Sequence, residues 1–346
     1  MTAFAVSLRG RRGLRTLILW FGWAVVGVLA YSALVLIYGK SPLHAFHEIW
    51  SSTLTTRYGL ESVVVRMTPL LFGALAAAIP ARIGLVNVGG EGQMFIGALA
   101  GTWVALSFTH WSASVLMPVA LLTAAAAGGL WAAVAGWLRA RGWLNEVFST
   151  LLTNYIAILI VSALVFGPWR DPASSNYPQS RELPGAAQLP HLGSTPIDVT
   201  IFVALAAIVT LDWFLRRTRF GLEMRAIGSN PIAAAFNGIP VSRYIVAAMF
   251  AGGALAGFGG MGQVSAVQLH LNPALSASFG YLGFLISWLA GHNPRLIVPM
   301  TFLLAVLASS GDILQITQGL PFATVDVISA ILMLIVLLAR AQRRTA

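Results

Sequence analysis

The chain has no cysteine, one lysine and few charges of either sign. Without cysteine there is no disulfide framework and no thiolate metal site. Charged residues make up 9% of the 346 and hydrophobic ones 58%, where soluble domains carry about 25% charged. That balance excludes a soluble fold. It leaves too little polar surface to cover the apolar one. A nucleotide-hydrolysing phosphate loop is excluded too. Lys40 is the single lysine, and although it lies in Gly39-Lys40-Ser41, the glycine such a loop needs at position 34 is Leu34. The six histidines show no pair at metal-ligand spacing. Deep apolar runs are nearly free of ionisable residues, several of which an ion-coupled carrier usually embeds. Active transport by this chain would therefore draw its energy from a separate ATPase.

What is present is a series of apolar runs, each about as long as a bilayer-crossing helix of roughly 20 residues. They predict an all-α polytopic membrane protein, one membrane domain over residues 1–346. About ten transmembrane helices are expected, at Leu17–Tyr38, Val63–Ala81, Gly89–Phe108, Ala113–Leu138, Val147–Phe166, Ile197–Leu215, Tyr244–Ser265, Leu275–Gly291, Leu296–Gly311 and Phe322–Ala339. The eighth and ninth could instead form one re-entrant hairpin and a longer helix. The first run is longer than a signal-peptide core of about 7–15 residues, and is expected to stay as an uncleaved span.

The net charge of +10 invites a nucleic-acid reading, but the basic residues lie in short clusters between apolar runs rather than along one polar face. With the N-terminus inside, sixteen of the 21 basic residues fall on inside segments, four outside, and Arg66 within a span. This is the positive-inside asymmetry. It predicts two cytoplasmic termini, a basic cytoplasmic stretch over 1–16, an irregular, exposed external loop over 167–196 and a cytoplasmic loop over 216–243. Membrane lipid, not nucleic acid, is the expected surroundings.

The cytoplasmic loop encodes a short helix. Asn230 is a good N-cap, Pro231 suits the first helical position, three alanines follow, Gly238 suits the left-handed residue after the end, and Pro240 stops continuation. Two turns are marginal alone, so the helix must pack on its own protein or on a partner. Ile232 and Phe236, four apart, share a face. Polar residues at membrane depth are the other candidates. Asn87, Glu91 and Gln93 open the third span amid glycines, in water, paired with Arg82, or at half-helix ends lining a path. Asn145 either caps the fifth span or faces the path. Asn154, two turns deeper, either bridges helices or faces a permeant. Arg66 is expected to snorkel outward.

Arg66-Met67-Thr68-Pro69, the run from Gly84 to Gln93, the run from Asn145 to Ala157, Gly167-Pro168-Trp169-Arg170-Asp171-Pro172 with Pro178-Gln179-Ser180, the loop from Gly221 through Gly238-Ile239, Gly280-Tyr281 and Asn293-Pro294 together resemble permease subunits of bacterial ABC importers for nucleosides and simple sugars. Relatives of that family include ribose-type and branched-chain amino-acid permeases, and the outside loop looks most like the nucleoside branch. Gly90 departs from the family's usual alanine. The resemblance implies a transport subunit of the bacterial inner membrane with no catalytic or metal site and no cofactor of its own. ATP and Mg would be used by an ABC ATPase subunit. A second homologous permease would complete the pore, and an external substrate-binding protein would deliver a small-molecule substrate. It implies coupling through Gly228, Asn230, Ala234, Phe236 and Gly238, and a polar pathway drawn from Asn87, Glu91, Gln93, Asn145 and Asn154. A stand-alone carrier or channel is the rival.

Overall fold

The computed structural model describes residues 22, 25–174, 177–276, 278–321, 327 and 331. Among them the chain is helical, with no strand and only two isolated bridges, Arg170 with Ser180 and His191 with Asp198. It divides into two units, Met1–Leu60 with Val306–Ala346, and Glu61–Ala305.

In the first unit, α1 (Val25–Ile37) and α2 (Pro42–Glu48, continued by a wider turn over Ile49–Leu54) bend by 110° at their junction. Ser41 caps α2, and Pro42 occupies its first position. Tyr31, Val35, Ala45, Leu314 and Leu320 form a small core. No helix was expected over residues 42–54. The apolar signal there is interrupted by His44, His47 and Glu48, so a short bent element escapes a search for long runs.

The second unit is built mainly from α3 (Arg57–Ala81), α4 (Gly90–Ser107), α5 (Ala113–Ala140), α6 (Glu146–Phe166), α7 (Thr200–Arg217), α8 (Arg219–Ser229), α9 (Pro231–Phe236), α10 (Val241–Gln263, widened over Val264–Gln268), α11 (Phe279–Leu289) and α12 (Pro294–Gln318). α3 starts in the first unit and α12 ends there. Helices α4, α5 and α10 pack along one another, and α6 and α11 lie against α4. Small residues allow the approach. A Cβ built on Gly97 would overlap the Gly257 backbone, and one on Gly253 would overlap the Gly128 carbonyl. With apolar lipid outside, such close backbone contact is what holds helices together.

By length and composition, α3, α5, α6, α10 with its continuation, and α12 can each cross a membrane, and the bent pair α1–α2 would make a sixth. The expectation of ten spans is not reproduced as drawn. The eighth is the eleven-residue α11, about 16 Å long, too short for a hydrocarbon core of about 30 Å. The ninth lengthens to 25 residues. Asn293 accepts from the Arg295 backbone N–H at 3.2 Å and starts it before Pro294. The longer helix is the one the alternative expected; in place of its re-entrant hairpin stands the single short α11. Most of span Phe322–Ala339, residues 1–16, and residues 17–21, 23 and 24 of the first run lie outside the described residues.

The loop over 167–196 is irregular, as expected, but not exposed throughout. Leu183, Ala187 and Leu189 are buried in the core between α4, α5, α6 and the end of α10. The loop is tied by Ser180 N to the Leu271 carbonyl at 2.9 Å and Leu189 N to the Ser265 carbonyl at 3.0 Å. The leucines spaced through the loop carry this lid-like packing, and its Pro and Ser content hides it.

Candidate transport and coupling sites

Two constellations stand out. The first is a buried polar knot where helix N-termini meet. Asn87 and Gln93 exchange side-chain bonds, Asn87 Nδ2 to Gln93 Oε1 at 3.2 Å and Gln93 Nε2 to Asn87 Oδ1 at 3.0 Å. Asn87 also donates to the Ala76 carbonyl of α3 at 3.0 Å and accepts from Gly89 N at 2.9 Å. Asn154 of α6 accepts from Gly92 N at 2.8 Å and donates to the Val88 carbonyl at 3.0 Å and to the Tyr281 hydroxyl at 3.3 Å. It bridges α6, α4 and α11. The Glu91 carboxylate accepts from Gly280 N at 2.8 Å, and so caps α11, whose own N-cap Ser278 has a left-handed backbone (φ 67°) and makes no side-chain cap. An anionic group at a helix N-terminus meets unpaired N–H groups and the positive end of the helix dipole. Here α4 and α11 start side by side. A Cβ on Gly280 would overlap the Glu91 backbone.

Asn87, Glu91, Gln93 and Asn154 are all buried, and the structure brings them together. Asn145 is not among them. It is the exposed N-cap of α6, accepting from Val147 N at 2.8 Å, while its neighbour Glu146 is buried and paired with Arg139 at 2.9 Å. Arg82 does not reach Glu91. It donates to the His292 carbonyl at 2.5 Å. Beside the knot a cavity of about 270 Å³ is lined by Ser62, Val65 and Arg66 of α3, by Gln263, Val267 and Gln268 of α10 and its continuation, and by Phe279. Arg66 thus borders a cavity rather than only reaching outward. The two glutamines were not singled out in the sequence, though an amide inside an apolar run was the available signal.

The second constellation surrounds α9. Asn230 accepts from Ile232 N at 3.1 Å and Ala233 N at 3.0 Å, and Gly238 is left-handed at φ 79°. The segment forms the helix its sequence specifies. Ala234 is buried against the core that holds Ile83, Met224 and Ile227, whereas Ile232 is 69% and Phe236 89% exposed. One face packs on the protein and the other offers a bare aromatic ring. The residues before it were expected as loop, but 219–229 form the three-turn α8. Thr218 caps it through Gly221 N at 3.2 Å. Arg219 pairs with Glu223 at 2.6 Å, and Tyr244 of α10 donates to the same carboxylate. The Tyr244 hydroxyl, then Arg219, hold the Glu223 carboxyl below its ordinary range. Arg225 donates to the Leu215 carbonyl at 3.1 Å. Gly228 lies so close to the Arg82 carbonyl that a Cβ would overlap it. Asp212 of α7 pairs with Arg216 at 2.8 Å and with Arg295 of α12 at 3.0 Å. The mount beneath α9 is thus tied to the ends of α3, α7, α10 and α12.

Residues 59–337 match the family described as the branched-chain amino acid transport system / permease component. The chain belongs to that family. It is 33% identical, over 95% of its own length and 91% of the relative's, to the glucose ABC transporter permease protein TsgB13 of Haloferax volcanii. It is 30% identical, over 90% of each chain, to the guanosine ABC transporter permease protein NupP of Bacillus subtilis. It is 25% identical, over 88% of its length and 86% of the relative's, to the nucleoside ABC transporter permease protein NupB of Lactococcus lactis. This permease is a multi-pass membrane protein. The relatives named are permease subunits of ABC transporters.

Proposed function

We propose that this permease is one of two related pore subunits of an ATP-driven importer in the bacterial inner membrane, carrying nucleosides by alternating access. The observation that carries the reading is α9, a capped helix on a braced mount with Ile232 and Phe236 bare. An ABC ATPase subunit would receive that face in a groove and transmit ATP binding and hydrolysis through Gly228, Asn230, Ala234, Phe236 and Gly238. ATP and Mg belong to that partner. The arginine asymmetry supports an orientation with α9 and both termini cytoplasmic, within one membrane domain of about ten membrane-embedded segments, α11 being re-entrant. The opposite end would meet a substrate-binding protein. A cavity of about 380 Å³ there, lined by Trp103, Pro168, Trp169, Arg170 and Arg181, supplies two exposed cations for acidic residues on such a partner.

The pathway is assigned to the 270 Å³ cavity beside the knot. Asn87, Glu91, Gln93 and Asn154 do not line that cavity, which meets the knot through Phe279, next to Gly280; their part in the path would be to fix the starts of α4 and α11, with Asn145 setting the start of α6. Nucleosides are favoured by the guanosine and nucleoside relatives together with the outer-loop likeness. A simple sugar is the second reading, favoured by the 33% identity to the glucose permease. The test is ATP-dependent uptake of radiolabelled guanosine by the assembled importer in proteoliposomes. Uptake blocked by excess unlabelled nucleoside and not by glucose or ribose is expected. Uptake of sugar alone would replace the nucleoside reading, and uptake without ATP or a partner would replace the importer reading.

A further inference from the structure

α5 ends where the antiparallel α10 begins, and along that seam runs a groove of about 650 Å³ whose walls include Leu130 and Trp137 of α5 and Val246 and Phe250 of α10. Leu130 and Trp137 are exposed, as is Phe250. Arg141 and Arg243 stand at one end of the groove, both exposed. Among the described residues neither is in an ion pair with a carboxylate. The Arg141 guanidinium lies 5.5 Å from the Trp137 ring centroid, a stacked position that still leaves its N–H edges free to donate. From Arg141 to Leu130 is eleven helical steps, about 16 Å, which is half of a hydrocarbon core of about 30 Å. The groove therefore has the depth of a single leaflet, an apolar wall and two cations at its mouth.

We propose that this groove is a site for an anionic phospholipid, with one acyl chain laid along Leu130, Trp137, Val246 and Phe250 and the headgroup phosphate bridged by Arg141 and Arg243. Charge complementarity selects the occupant. A zwitterionic lipid would fill the same apolar wall but bring an ammonium to the two arginines, and a neutral protein surface would leave both cations without acceptors. Guanidinium groups match phosphate oxygens in paired, charge-assisted hydrogen bonds, and basic pockets between membrane helices bind anionic headgroups.

The full chain, released from nanodiscs of equal phosphatidylglycerol and phosphatidylcholine, is examined for retained lipid by native mass spectrometry. Each basic side chain near the headgroup contributes about fivefold, so a preference of roughly thirtyfold for phosphatidylglycerol is expected. The double variant R141Q/R243Q should bring it to parity, and Val246→Trp, which fills the groove and leaves the charge alone, should reduce retention of both lipids. Arg217→Gln, an exposed arginine away from the groove, should change nothing. Equal retention of the two lipids by the native chain, an undiminished preference in R141Q/R243Q, or undiminished retention in Val246→Trp overturns the assignment. So does efficient oxidative cross-linking of a Val246→Cys chain to a second permease in membranes, since the native chain has no thiol and such a cross-link would mean that protein covers the groove.

Discussion

At the scale of single residues, the knot around Asn154 shows how a polar side chain is tolerated among apolar helices. Its amide satisfies Gly92 N, the Val88 carbonyl and the Tyr281 hydroxyl, so its buried oxygen and nitrogen are both used. Removing such a group leaves buried partners unsatisfied, at about 1–3 kcal/mol for each. Asn154→Leu should therefore lower the apparent Tm of the detergent-solubilised permease by clearly more than Asn145→Ala, which removes an exposed cap worth about 1 kcal/mol. Thermal unfolding followed by size-exclusion chromatography compares them, and equal shifts would mean that the knot holds nothing together. Much of this was legible beforehand. Amides and a carboxylate beside glycines at membrane depth stand out from composition alone, and bridging was one of two readings open for Asn154. Their pairing was not legible, because Gly280 is 189 residues from Glu91 and no local pattern announces that two helix starts will meet. Asn145 looked similar in sequence and differs only in burial.

At the scale of elements, strictly local chemistry was legible and long-range packing was not. The cap, proline, alanines and glycine of Asn230–Gly238 specify α9 within nine consecutive residues, and it forms there. α8 was missed because its hydrophobic face, Met224 and Ile227, is sparse and set among charges that read as loop; its helix depends on burial of that face against residues such as Ile83 and Leu215. α11 was overdrawn because its apolar signal continues through Leu275, yet the backbone at Leu269 and Ser278 turns left-handed and ends regular structure there. The α9 reading yields a direct test. Phe236 is 89% exposed, so Phe236→Asp changes no internal packing, but it places a charge on the face proposed to enter an apolar groove. Membrane yield and Tm should match the native protein, while ATP-dependent uptake falls at least tenfold, the loss produced by about 1.4 kcal/mol at the interface. Native uptake in that variant would remove α9 from coupling.

At the scale of the whole molecule, the architecture explains why this permease would work only in company. Its helices are held by backbone contact between small residues, most of its ionisable groups gather at the helix ends, and Arg66, well inside α3, lines a cavity. Lys40 lies between α1 and α2, not in a glycine loop before a helix. Class was the most legible feature of the sequence, since charge scarcity is global and needs no knowledge of packing. Span number was less so, since a hydropathy run cannot distinguish a crossing helix from the short α11 or the bent pair α1–α2. Dependence on a partner is then a property that can be measured. The purified permease in nanodiscs should hydrolyse no ATP above an empty-nanodisc control. With the cognate ATPase subunit added, phosphate release should appear, and the Phe236→Asp chain should leave that subunit at its unassembled rate. Hydrolysis by the permease alone would require a nucleotide site other than a lysine phosphate loop, and would overturn the proposed division of labour between the two subunits. Equal hydrolysis with the native and Phe236→Asp chains would instead leave that division standing and move the contact away from α9.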